Sequence, residues 1–164
     1  MPELFVNARH VLLLGCYTAT EIQLDRWRND LTSNASLIAG FSFGAWIAMQ
    51  LIMRRPEITH FLAVSPPVNK YDFSFLSPCP VPGLIMQGDL DSVVSEELVH
   101  ELAQKLSKQK YIKVDYRMIA GADHFFREKI DRLNEEINDY LKTVFNHQTD
   151  FAHNNSEKAK ISSK

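Results

Sequence analysis

Residues 36–54, SLIAGFSFGAWIAMQLIMR, constrain the fold more than any other stretch of the chain. A short apolar run, SLIAG, passes through one tight turn into a helix-length segment that is apolar on nearly every side until Pro56 stops it. Neither half has a polar face to offer to water. The strand must therefore lie inside a sheet, and the helix must be covered on most of its surface.

The flanking pattern extends this unit in both directions. Residues 10–14 (HVLLL) read as a first strand, and 20–31 as a helix with Leu24, Trp27 and Leu31 on one face. Residues 60–65 (HFLAVS) read as a third strand, ended by Pro66 and Pro67. A long aromatic and proline-rich loop spans 68–80, and 81–87 (VPGLIMQ) is a fourth strand. Residues 95–108 place Leu98, Leu102 and Leu106 on one side of an amphipathic helix. Residues 112–119 are a fifth strand, more polar and so nearer a sheet edge, and 126–145 are the longest helix. Strands and helices in alternation predict a three-layer α/β sandwich with a mostly parallel sheet of about five strands. Residues 1–145 are expected to form a single domain, and the polar, aperiodic 146–164 a disordered tail.

Composition narrows the function. The chain has 164 residues, 45% of them apolar, with a formal charge of -2. It shows no basic excess or stripe for nucleic acid. No run reaches the roughly 18 apolar residues of a membrane span. The N-terminal apolar run is too short for a secretory core and follows an acidic Glu3, so it reads as a strand and the expected location is cytoplasmic. Cys16 and Cys79 have no metal-site spacing and read as isolated thiols.

Gly40-Phe41-Ser42-Phe43-Gly44 lies between the buried strand and the apolar helix. In that setting G-x-S-x-G is a nucleophile elbow: a strained turn lifts the serine hydroxyl clear of the sheet. The glycines on either side let backbone pass close to backbone. The Phe43 N–H, at the helix start, points where an oxyanion would develop. A serine needs a base, and the base needs an orienting acid. Asp91 follows the fourth strand in GDLDSVV, and His124 follows the fifth in GADH. All three positions fall beyond the carboxyl ends of predicted parallel strands, where open α/β sheets place their sites.

Other assignments compete. Asp89 is a rival acid, though a first aspartate in such a turn more often caps backbone N–H groups. Asp123 adjoins His124 but is better placed to shape the turn. Asp89, Asp91, Asp123 and His124 together are a candidate for a hard divalent cation, a reading that leaves the elbow unexplained.

Three blocks carry a resemblance: GFSFGAWIAMQLIMRRPEI (40–58), SPPVNKYDFSFLSPCPVPGLIMQGDLDSVV (65–94) and GADHFFREKIDRL (121–133). Over residues 36–144 the chain resembles the α/β-hydrolase superfamily. Within it, the likeness is to the small lidless bacterial group related to dienelactone hydrolases and thioesterase-like enzymes. The resemblance implies hydrolysis of an ester, thioester or amide of a small-molecule acyl substrate, without a cofactor, and no metal is expected. It implies nucleophile, acid and base roles for Ser42, Asp91 and His124. Phe43 matches one oxyanion donor. Phe41, Tyr71, Phe73 and Phe75 are expected to line an apolar acyl pocket.

Members of this group carry further strands upstream, and a loop after the third strand supplies a second oxyanion N–H. Here 35 residues precede Ser36. The expectation is therefore a shortened α/β-hydrolase fold, with residues 9–16 taking the third strand's place and 15–19 near Ser42. The alternative is a decayed, non-catalytic homologue acting as a scaffold or subunit. An unpaired side on the elbow strand would then let it form a homodimer or pair with a partner.

Overall fold

The computed structural model describes residues 11–14 and 36–144. The expected helix over 20–31, the stretch 15–19, Cys16 and the tail over 146–164 lie outside the described residues. Five strands form one sheet in sequential order, every neighbouring pair parallel. They are β1 (Val11–Leu14), β2 (Leu37–Phe41), β3 (His60–Val64), β4 (Gly83–Gly88) and β5 (Val114–Ile119). Helix α1 (Phe43–Ile52) joins β2 to β3, and α2 (Glu96–Ser107) joins β4 to β5. A third helix, α3, runs over residues 130–144. The loop before β4 carries one short 3₁₀ turn, Ser74–Leu76.

Alternation along the strands sorts side chains to two faces. Ile38, Phe61, Ala63, Ile85 and Val114 pack against α1 and α2. Leu37, Ala39, Leu62, Val64, Leu84 and Met86 pack against Leu133, Ile137 and Leu141 of α3. Because the sheet advances steadily in one direction, right-handed crossovers leave α1 and α2 on the same face. The chain that follows β5 covers the other. This double coverage explains why β2, β3 and β4 read as unbroken apolar runs.

Two expectations change. The long helix begins at residue 130 rather than 126. Phe126 keeps its apolar role, at 1% exposure, but from a turn with φ of 53°, outside helical geometry. Its periodicity is that of a core plug and not of a helix face. Nor does the elbow strand have an unpaired side. β1 runs along it in parallel, with Leu14 opposite Gly40, so β2 is interior to the sheet. As its mixed polarity predicts, β5 is the edge strand at the far side of the described sheet.

Candidate active site

Ser42 ends the turn between β2 and α1 with φ of 50° and ψ of -120°. Such a backbone costs a non-glycine residue about 1–3 kcal/mol. What enforces it is close contact. A Cβ added at Gly40 would lie 2.2 Å from the Gly44 carbonyl oxygen and 2.5 Å from the Ala45 nitrogen. The Ser42 N–H is anchored on the Val64 carbonyl of β3 at 2.8 Å. Although Ser42 occupies the N-cap position of α1, its side chain makes no capping bond. The hydroxyl faces His124 instead, with Oγ 3.1 Å from Nε2. Phe43 is the first helical residue, so its N–H has no acceptor within the helix.

The imidazole continues the relay, with Nδ1 lying 2.7 Å from Asp91 Oδ2. With the proton on Nδ1, the ring donates to Asp91 and leaves Nε2 to accept from Ser42. Both side chains are almost fully out of water, His124 at 6% and Asp91 at 0% exposure. The rings of Phe41 and Phe125 stand 5.2 and 5.1 Å from the imidazole centre, Phe125 edge-on.

Asp91 is held on every side. Its Oδ1 accepts the N–H groups of Val93 at 2.8 Å and Val94 at 2.9 Å. Its Oδ2 accepts from Gln87 Nε2 at 2.9 Å as well as from His124. Burial alone would push this carboxyl up. The Val94 N–H, the His124 ring and the Val93 N–H outweigh burial and hold it below the usual carboxylate range.

The rival acids do different work. Asp89 accepts the Gly121 N–H at 2.6 Å and ties the end of β4 to the end of β5. Asp123 accepts the N–H groups of Phe125 and Arg127, shaping the turn that delivers His124. Among the described residues, no three acidic, histidine or cysteine side chains gather as a metal site would require. The Cys79 thiol is free and buried, and burial pushes its pKa up.

The four aromatic positions divide. Phe41 and Tyr71 are exposed at the rim. Phe73 is 8% exposed within the core, with Phe75 packed against the same core and 6.1 Å from it. Phe43, Tyr71 and Trp46 form a cluster with ring centres 4.9 to 5.8 Å apart. Trp46 donates its indole N–H to the Asp72 carbonyl at 3.2 Å. Beyond Tyr71, an open groove of about 740 Å³ runs between the 68–77 loop and α2, with Val68, Leu98 and Leu102 in its walls. Sequence reasoning missed Trp46 and Gln87. A glutamine inside the run LIMQG, where both faces of the sheet are covered, was the available signal for the second.

The dienelactone hydrolase family matches residues 19–155 of the chain. The uncharacterized protein RP471 of Rickettsia prowazekii is 58% identical over 133 residues, covering 79% of this chain and 55% of that protein. Among solved structures, ATU1826 of Agrobacterium tumefaciens, a protein of unknown function, is 46% identical with a TM-score of 0.72, covering 79% of this chain and 59% of the other. An α/β serine hydrolase homologue from Coxiella burnetii is 30% identical with a TM-score of 0.63, covering 74% and 57%. The chain thus spans a little more than half the length of these relatives.

Proposed function

Since the chain belongs to the dienelactone hydrolase family, we propose that it is a serine hydrolase cleaving an ester or thioester through an acyl-enzyme. The observation that carries this reading is the unbroken relay from Ser42 Oγ through His124 to Asp91, with contacts of 3.1 and 2.7 Å. In it, His124 Nε2 takes the Ser42 hydroxyl proton as Oγ attacks the substrate carbonyl carbon. Asp91 holds the ring tautomer and stabilises the imidazolium. The Phe43 N–H receives the oxyanion. As the tetrahedral species collapses, the carbon–oxygen or carbon–sulfur bond breaks, and Nε2–H returns the proton to the leaving alkoxide or thiolate. Water then repeats the sequence on the acyl-serine, releasing the acid and restoring Ser42.

An apolar acyl group suits the rim. Phe43 and Tyr71 are exposed beside the serine, and Tyr71 also borders the groove. A series of esters with lengthening acyl chains should show kcat/KM rising with length before it levels. A flat series argues against the apolar acyl site.

Labelling with a fluorophosphonate tests the nucleophile, read by intact mass and peptide mapping. One adduct on Ser42, absent from a folded Ser42→Ala protein, is the expected result. A folded parent that takes no adduct overturns the reading.

A further inference from the structure

Gln87 is a fully buried polar side chain, at 0% exposure, at the next-to-last position of an apolar strand. Its Nε2 sits 2.9 Å from Asp91 Oδ2 and 2.8 Å from the Val94 carbonyl oxygen. Both neighbours are acceptors only, since Asp91 is a carboxylate and the other is a backbone oxygen. The carboxamide therefore has one allowed orientation. Turned over, it would set Oε1 against two oxygens at contact distance. As it stands, both amide protons are used and Oε1 is buried without a partner. A buried acceptor left that way costs about 1–3 kcal/mol. The orientation is held despite that penalty.

The two oxygens of Asp91 are fixed differently. Two backbone N–H groups clamp Oδ1. Among the described residues, Oδ2 meets only Gln87 and His124, both through side chains. Without Gln87, the carboxylate would pivot about its anchored oxygen, and the direction from Oδ2 to the imidazole would be set by His124 alone. The second amide proton, on the Val94 carbonyl, closes the 88–94 loop at its far end. One side chain thus fixes both the acid and the loop bearing it.

We propose that Gln87 is a positioning residue, which acts through Asp91 to hold the His124 ring in register with Ser42. Its catalytic consequence rests on the serine-hydrolase reading given above. Its structural half does not, so the two can fail separately. Gln87→Met fills the same buried slot without a donor. In that variant, kcat for an activated ester should fall by about tenfold to a hundredfold, the scale of a small misplacement in a catalytic group. KM should stay within about twofold, because no group that touches substrate has changed. The downfield proton resonance of the His124 Nδ1–H, which reports the bond to Asp91, should shift or broaden in parallel. If the folded variant keeps both the parental kcat and the parental resonance, the proposal is wrong.

If Gln87→Met does not fold, the parent protein decides. The Gln87 amide protons should exchange slowly with solvent and show a nuclear Overhauser contact to the His124 Nδ1–H. Free exchange with no such contact overturns the proposal. If the parent hydrolyses no ester, the resonances still test the positioning, and the hydrolase reading alone is lost.

Discussion

The elbow at Ser42 and the loop at Asp91 stand at the same edge of the sheet and hold their side chains by opposite means. At the elbow, backbone contacts do the work. Gly40 packs on Gly44 where no Cβ fits, and Ser42 accepts a strained φ of 50° with no side-chain bond to the helix it starts. At the acid loop, four donors converge on one buried carboxylate. A nucleophile must be presented to substrate and so cannot be buried in bonds. An orienting acid never meets substrate and can be saturated. Strain in one place and satisfaction in the other are what the nucleophile and acid roles proposed for Ser42 and Asp91 require.

Replacing Ser42, the proposed nucleophile, should separate these two regimes most sharply. Ser42→Gly removes the hydroxyl and relieves the positive φ. Turnover of an activated ester should fall by about 10⁶-fold, to background. Resistance to urea should rise by about 1 kcal/mol as the strain is released. A less stable Ser42→Gly protein would show that the turn is not strained.

At the acid loop, activity and stability should fall together. In Asp91→Asn the amide oxygen is claimed by the N–H groups of Val93 and Val94, so the NH₂ takes the place of Oδ2. It then faces two donors, Gln87 Nε2 and His124 Nδ1. The imidazole escapes by moving its proton to Nε2, and a protonated Nε2 cannot receive the serine proton. Turnover should drop by about 10⁴-fold, and stability by about 1–3 kcal/mol for the donor left facing a donor. Loss of activity with unchanged stability would mean that the network adjusts freely.

The elbow was legible because its constraints are written in residue identity along one short segment. Two glycines around a serine, between an apolar strand and an apolar helix, leave one local geometry. The topology was legible for a similar reason, since β2, β3 and β4 are apolar on both faces and must be covered twice. The Asp91 network was only half visible. Asp91 and His124 lie 33 positions apart, and chain order with strand ends is enough to bring them together. That Gln87 reaches Asp91 depends on which face of β4 it occupies and how the next turn closes. Phe126 was misread for a related reason: its spacing to Ile130 and Leu133 is helical, yet what buries it is a turn that delivers His124. Periodicity reports burial, and two different backbones can bury the same residue.

Acid should weaken the saturated loop and spare the strained one. The Asp91 carboxyl is held below its ordinary range when folded. Its contribution is complete above the unfolded value of about 3.9 and is lost as pH falls through the lower folded value. The stability difference between parent and Asp91→Asn should therefore be widest near neutrality and narrow below about pH 4. The difference between parent and Ser42→Gly should not change over that range through this group. Urea titrations of the three proteins at several pH values measure both. A gap for Asp91→Asn that stays constant into acid would mean that the carboxylate gains nothing from its four donors.

Asp89 sets the lower limit of the comparison. It lies two residues from Asp91 and is also bonded to backbone, but from the exposed side of the turn, where among the described residues it accepts only the Gly121 N–H. Gly121 has φ of 74°, so this bond fixes a turn that the chain can form without it. Removing the carboxylate in Asp89→Ala frees an N–H that water can reach, and no buried donor is stranded. The loss should be about 1 kcal/mol or less of stability, with kcat for an activated ester within about twofold of the parent. The relay from Asp91 to Ser42 uses no atom of Asp89. A tenfold fall in kcat would show that the tie between the ends of β4 and β5 sets the spacing of the acid and the base. Some of the control assigned to Gln87 would then belong to the exposed side of the same loop.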